Sequence, residues 1–328
     1  MRLEKLYGTP VLLSGMGALV LLSSEIEMIN CHINQTFQNL MRLHENTPHC
    51  VTAFLAGTLP GTALVHLRYL SNFGMVARNP GSILFNLGLE IFSTSKGSSR
   101  SWFSKIRNIC LLYQLPHPLQ LMRAPLKKET YKALVKKKVV SYWEMKYRNE
   151  ADVLPSLMFF NPRYMSLTSP HPLWVSAGSS PYEVSKATIQ ARMLSGRYRT
   201  ELLCSHWSGN PHGWCTTPDC QGLEVSEDIQ HILLSCPSLE PTCENLLIFT
   251  KSYCLTYPVL NPILSIYCSP SHPQFCQFLL DCSCMPVIIT FTQEHGIDAL
   301  HHLLYICRTW CYCLHRDRAR LLGRWTRP

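Results

Sequence analysis

The sequence predicts a mainly α protein, and three observations carry that expectation. Apolar residues recur at helical spacing in several long stretches. Helix-start signals stand ahead of some of them, at Ser24, Pro60 and Ser180-Pro181. Helix-stop signals follow, at Pro48, Pro116 and Gly196. The expected order is a helical region, a small Cys/His module and a helical tail.

Taken in order, residues 11–22 are apolar and follow Arg2 and Lys5, a loose imitation of a signal peptide. The stretch is too short to span a bilayer as a helix and contains Ser14, Gly15 and Gly17, so it reads as a buried core segment. Ser24 and Glu27 form a capping box. Ile26, Ile29, Ile33, Phe37, Leu40 and Leu43 then share one face of a long helix that ends near Thr47-Pro48. Asn34-Gln-Thr36 matches a glycosylation sequon but lies inside this pattern. Pro60 suits the first turn of a helix whose buried face holds Leu64, Leu67 and Leu70. Another helix is expected over 82–92, then a Ser/Gly-rich loop over 93–99. Residues 101–114 should be amphipathic, with Trp102, Phe103, Ile106, Cys110 and Tyr113 inward.

A helix over 128–149 would bury Leu134, Val135, Val139, Tyr142 and Trp143 and set Lys128, Lys132 and Lys136 one turn apart. Lysine rows of this kind can contact successive phosphates without reading sequence. Trp143 and Tyr147 could stack bases, with packing the stronger reading. Residues 151–180 read as an irregular, partly packed connector. Ser180-Pro-Tyr-Glu183 opens a helix that buries Val184, Ala187, Ala191 and Leu194 and closes at Gly196. Beyond residue 240 only short helices are expected, until Leu300, Leu303, Leu304, Cys307, Cys311 and Leu314 fall on one helix face. That face makes Cys307, Cys311 and Cys313 core residues and not a second metal site, and Cys282-Ser-Cys284 is discounted too. Arg316, Arg318, Arg320, Arg324 and Arg327 read as a mobile basic tail.

The 328 residues are 46% hydrophobic, enough for a substantial core, and carry a net charge of +9. Residues 100–150 hold twelve Lys or Arg and three acids, so the excess sits there and the remainder balances. A local basic patch points to a polyanion, most simply RNA or DNA, against the alternative of a solvated helix face. Thirteen of the sixteen cysteines follow residue 200, at irregular spacing in a long chain. That favours reduced thiols in a nuclear or cytoplasmic protein over a secreted disulfide scaffold.

Cys215, Cys220, His231 and Cys236 form a C-x4-C-x10-H-x4-C array. Two close ligand pairs joined by a spacer can wrap one Zn2+ tetrahedrally, closing a module too small to fold alone. Pro218-Asp219 suits a turn that aims the first pair inward. Ser226 looks like the N-cap of a short helix over 227–235 that carries His231 and stops at Pro237. The bland reading makes these three ordinary buried thiols and a core histidine; the paired order argues for the metal.

Several stretches resemble the C-terminal, post-palm region of LINE-type (non-LTR) retrotransposon reverse transcriptases. They are Tyr7-Gly-Thr-Pro-Val-Leu-Leu-Ser-Gly15, Leu59-Pro-Gly-Thr-Ala-Leu-Val-His-Leu-Arg68 with Leu70-Ser-Asn-Phe-Gly-Met75, and Ala191-Arg-Met-Leu-Ser-Gly-Arg-Tyr-Arg-Thr200. Trp207 and Trp214 lead into the array, and Glu227-Asp-Ile-Gln-His-Ile-Leu-Leu-Ser-Cys236 completes it. The likeness covers most of residues 1–240. It implies a helical thumb-like region over 1–120, a basic connector over 121–200, a Cys-Cys-His-Cys zinc knuckle over 201–240 and a helical tail over 241–328. The function it implies is nucleic-acid binding during target-primed reverse transcription. The family's palm uses adjacent aspartates to hold two metal ions. This chain has no adjacent aspartates and none before residue 150. The expectation is therefore a non-enzymatic part of an RNA-directed DNA polymerase, with the polymerase part of the same polyprotein as a possible partner and no membrane.

The expected nucleic-acid contacts are Lys127, Lys128, Lys132, Lys136, Lys137, Lys138, Arg192, Arg197 and Arg199. Those arginines could equally neutralise the end of their helix. The competing reading is a zinc-dependent protein-interaction module in which the lysines serve solubility.

Overall fold

A computed structural model describes residues 4, 8–94, 101–205, 209–267 and 273–324. Tyr7, Trp207, Arg327 and most of the loop expected over 93–99 lie outside the described residues. Sixteen α-helices make up most of what is described, joined by short 3-10 and π turns. No strand occurs among the described residues, only an isolated antiparallel bridge between Trp214 and Ser226. The chain is mainly α, as the sequence predicts.

The first helices are α1 (Thr9–Leu12), α2 (Ser23–Leu40), α3 (His49–Ala56), α4 (Gly61–Ala77), α5 (Ile83–Thr94), α6 (Trp102–Leu112) and α7 (Pro118–Arg123). Then come α8 (Lys128–Asp152), α9 (Pro172–Ala177), α10 (Pro181–Leu194), α11 (Glu201–Cys204) and α12 (Glu240–Thr256). The last four are α13 (Asn261–Tyr267), α14 (Pro273–Asp281), α15 (Pro286–His295) and α16 (Ile297–Leu321). The chain forms two compact units. One comprises Met1–Leu40, Ala56–Asn149 and Leu167–Ser169; the other comprises Met41–Leu55, Glu150–Ser166 and Pro170–Pro328. Neither coincides with one of the four consecutive segments expected. Among the described residues no single helix is long and apolar enough to cross a membrane, although two bent helix pairs reach that length and composition together.

In the first unit, α2 starts and stops earlier than its pattern suggests. The Leu22 amide donates to Glu25 at 2.6 Å, so the cap lies ahead of the expected Ser24–Glu27 pair. The helix ends at Leu40, and Arg42 takes a left-handed φ of 52°. Ile33 and Phe37 are buried as expected, but Leu40 is exposed. The stretch over 11–22 is not a buried segment: Val11, Leu19, Val20 and Leu22 are exposed, and only Leu13, Gly17 and Leu21 turn inward. Its place is fixed by polar contacts to its backbone. Tyr69 Oη donates to the Leu19 carbonyl at 2.6 Å, and Trp102 Nε1 to the Gly17 carbonyl at 2.8 Å.

In α6, Ser101 caps the start by accepting from the Ser104 amide at 3.1 Å, and Phe103, Ile106 and Cys110 face the core, with Tyr113 beyond them. Tyr131, Val135, Val139, Trp143 and Tyr147 are the buried line of α8. Trp143 Nε1 donates to Tyr113 Oη at 2.9 Å, which leaves that hydroxyl to donate to His66 Nδ1 at 2.8 Å. His66 is thereby kept neutral, and burial holds its pKa down to about 4. Trp143 and Tyr147 are therefore packing residues, not stacking platforms.

The second unit is assembled on α16. Helices α9, α10, α12, α14 and α15 all pack against it. Its expected face is buried throughout, Leu300, Leu303, Leu304, Cys307, Cys311 and Leu314 included. Each leucine contributes roughly 1.5–3 kcal/mol by leaving water. Cys307 and Cys311 are inert core thiols, their pKa values pushed up by burial. Helix α10 begins with Ser180 accepting from the Glu183 amide and ends before Gly196, whose φ of 64° is left-handed. Glu183 does not complete the expected capping box. Its carboxylate instead binds buried Arg308 at 2.7 Å and Lys186 at 2.9 Å.

Candidate metal centre

The Cys/His array folds on two short backbone devices in the second unit. An antiparallel pairing brings its two halves together: the Cys215 amide donates to the Val225 carbonyl at 2.8 Å and the Glu227 amide to the Gly213 carbonyl at 2.9 Å. Gly213 has a φ of 66°, and a Cβ there would lie 2.6 Å from Leu202 Cα, so only glycine fits this approach. The second device is the 3-10 turn Pro218–Cys220, closed by the Cys220 amide on the Thr217 carbonyl at 3.0 Å. The Asp219 amide donates to Ser238 Oγ at 2.9 Å and ties this turn to the chain after Cys236.

His231 arrives differently from the sequence expectation. Ser226 belongs to the bridge with Trp214 and does not cap the helix. Asp228 does so, its carboxylate accepting from the His231 amide at 2.6 Å. The turn carrying His231–Ser235 is of the wide π type, and Cys236 leaves it in an extended conformation just before Pro237. A π turn of this kind often marks a functional position.

The four expected ligands converge. One donor atom from each of Cys215, Cys220, His231 and Cys236 lies within 4.8 Å of the others, and all four residues are buried. Cys220 Sγ is 3.5 Å from His231 Nε2 and 3.8 Å from Cys236 Sγ. The cluster could hold a metal ion, and no other such group of His, Cys, Asp or Glu occurs among the described residues. Without a cation, three buried thiols cannot all ionise side by side. Cys215 is the one held low, to about 3, by a hydrogen bond from the Cys236 thiol. Cys236 is pushed up by that same bond, and Cys220 by burial.

Three further residues complete the centre, and sequence reasoning missed them. Thr217 Oγ1 sits between Cys215 Sγ at 3.2 Å and Cys236 Sγ at 3.3 Å. Glu227, read as a helix-start acid, is fully buried with Oε2 3.6 Å from Cys215 Sγ. Arg318, read as part of a mobile tail, is buried on α16 and bound to Glu227 through both Nε and Nη2. Burial works against the Arg318 charge, but the hydrogen bonds to Glu227 prevail and its pKa stays above the ordinary arginine value. A signal for Arg318 was present: it continues the spacing of Cys311 and Leu314 on the buried face. Glu201 accepts from Arg324 at 3.3 Å, so a second tail arginine is also paired.

The nine expected nucleic-acid contacts fall into two groups. Lys127, Lys128, Lys132, Lys136 and Lys137 are exposed at and along α8, and Lys138 is half-buried. None of the six pairs with a carboxylate among the described residues; the α8 ion pair that is described joins Arg148 to Glu144. The arginines lie in the second unit around a cavity of about 570 Å³, with Arg192 and Arg197 half-buried and Arg199 exposed.

Comparisons of the chain with family models, with curated proteins and with solved structures returned no match.

Proposed function

We propose that the protein is a non-enzymatic nucleic-acid-binding module stabilised by a structural zinc ion, akin to the post-palm region of a LINE-type reverse transcriptase. The observation that carries the binding function is the α8 lysine set. Five of its six cations are exposed and none of the six pairs with a carboxylate among the described residues, while the aromatics of the helix's buried line are packed away. Successive lysines four residues apart rise about 6 Å along the helix. Such an array suits phosphate contacts with little sequence preference.

Zinc is favoured by donor chemistry and by spacing. Three thiols and an imidazole suit Zn2+ better than hard cations, which take oxygen ligands. A tetrahedral zinc separates two sulfurs by about 3.8 Å and a sulfur from a nitrogen by about 3.5 Å. The Cys220–Cys236 and Cys220–His231 separations are 3.8 and 3.5 Å. Four protein ligands would close the coordination shell, which fits a structural role. Zinc with three thiolates carries a net charge of about −1; Arg318 neutralises Glu227, the carboxylate beside Cys215, so that Glu227 adds no further negative charge to it. An RNA or DNA duplex is the expected partner, with the polymerase part of the same polyprotein as a further one and a nuclear or cytoplasmic location.

The test is duplex binding as a function of salt, for wild type and for Lys136→Ala/Lys137→Ala/Lys138→Ala. Each lost phosphate contact lowers the slope of log K against log salt by about 1. Wild-type affinity that is insensitive to salt, or an unchanged slope in the variant, rejects the reading. A zinc-dependent protein-interaction role is the second reading, favoured by the exposure of Leu223 and Val225 on the loop between the ligand pairs. Loss of partner capture in Leu223→Ser, with duplex binding intact, would support it.

A further inference from the structure

The cavity of about 570 Å³ in the second unit is lined by Arg192, Arg197, Arg199, Arg318 and Arg324, and no carboxylate lines it. Two of these arginines are already neutralised: Arg318 by Glu227, and Arg324 by Glu201. The other three have no acidic partner among the described residues. Arg192 donates its Nε to a backbone oxygen, that of Arg42, at 2.8 Å. Arg197 is more telling. Its Nε is buried and has no hydrogen-bond partner, and an unsatisfied buried donor on a charged group is costly. The chain is held to this arrangement. Gly196 has a left-handed φ and packs so closely on the Ser156 carbonyl that a Cβ could not be added. The Arg197 amide returns to the Arg192 carbonyl at 3.2 Å. Burial, and then the nearby Arg42 charge, hold Arg192 below the ordinary arginine pKa. Cations gathered without a counter-charge imply that one is supplied from outside.

We propose that this cavity is a phosphate site, in which Arg192, Arg197 and Arg199 take the terminal phosphate of a nucleotide-sized molecule. Guanidinium groups match phosphate oxygens bidentately, and no carboxylate on the cavity wall competes for Arg192, Arg197 or Arg199. The cavity is larger than a phosphate needs, and Leu43, Ile189 and Ala319 on its wall offer apolar surface to the rest of the ligand. His315 adds no charge at neutral pH. Its Nδ1 is 2.8 Å from Tyr198 Oη, and burial holds its pKa down to about 4. The phosphate could come from the end of a nucleic-acid strand or from a free nucleotide. Only for the first source does the inference rest on the proposed binding function, because the α8 lysines are not part of the site.

The experiment is calorimetric titration of the full chain with inorganic pyrophosphate. Wild type should bind, and Arg197→Ala and Arg192→Ala should each weaken binding at least tenfold with unchanged circular dichroism and metal content. Arg199→Glu, at an exposed position, should weaken it as well, and keeps the test valid if either buried variant fails to fold. Lys136→Ala/Lys137→Ala/Lys138→Ala should leave pyrophosphate binding intact, so failure of the duplex-binding reading is seen separately. Competition then separates the sources. Displacement of pyrophosphate by a 5′-phosphorylated oligonucleotide, but not by its 5′-hydroxyl form, assigns the strand end; displacement by a nucleoside diphosphate alone assigns the free nucleotide. Absence of pyrophosphate binding at millimolar concentration, or affinity unchanged in Arg197→Ala and Arg199→Glu, overturns the proposal.

Discussion

Helices α8 and α16 are each 25 residues long, and both carry strings of basic residues. In α8 all the lysines but half-buried Lys138 are exposed, and none has a carboxylate partner among the described residues. In α16 Arg308 and Arg318 are buried, each held by a buried or half-buried glutamate. Charge counting does not separate the two helices. Position relative to the apolar period does. Arg318 falls on the line that runs through Leu304, Cys307, Cys311 and Leu314, whereas none of the α8 lysines falls on the line from Tyr131 to Tyr147. A cation on the buried line must find a carboxylate, and it becomes part of the architecture. The α8 lysines, off that line, have no carboxylate partner among the described residues.

Disrupting the metal centre should give the largest effect, because it removes the ground on which Arg318 docks. In Cys220→Ser, or after chelation, bound zinc should fall from one per chain to near zero, measured by elemental analysis. Zinc contributes on the order of 10 kcal/mol to small zinc modules, comparable with the stability of a whole domain. The second unit should therefore lose cooperative melting. Wild-type protein purified without zinc would remove the ligand assignment.

The next effect sharpens the contrast between the helices directly. Arg318→Ala strands Glu227 beside Cys215 and should cost about 3–5 kcal/mol in urea unfolding. Lys132→Ala on α8 should stay within about 0.5 kcal/mol. Equal losses in the two variants would break the comparison.

A pH effect follows from His66. Its folded pKa is lowered from 6.5 to about 4 by burial, so the unfolded chain takes up the proton first as pH falls. Stability from this group is therefore fully present above about pH 6.5 and is lost on the way to pH 4, by on the order of 3 kcal/mol. His66→Gln should flatten that part of the stability-against-pH curve relative to wild type; parallel curves would contradict the buried neutral state. Trp143→Phe, which deletes the hydrogen bond to Tyr113, should cost about 1 kcal/mol beyond the volume change in urea unfolding.

Much of the architecture was legible in the chain. The stripe from Leu300 to Leu314 and the faces of α6 and α8 were visible because helical periodicity is local. The Cys/His cluster was visible because the spacing of its four residues matches that of metal-binding loops. The errors have a common origin. Ser226 and Asp228 are both good caps, and only the pairing of Trp214 with Ser226 decides between them. Leu40 fits its stripe, yet α2 stops there and exposes it.

By itself, then, the sequence determined the helical class, the buried face of α16 and the four members of the Cys/His cluster, since all three depend on residues within a few turns of one another. Tertiary structure alone decided the rest: Arg318 reaching Glu227 across 91 positions, Thr217 between two thiols, and the gathering of Arg192, Arg197 and Arg199 around one cavity. The physical reason is that burial and charge compensation are properties of a three-dimensional neighbourhood. A basic residue near the end of a chain looks the same in sequence whether it waves in water or closes a core.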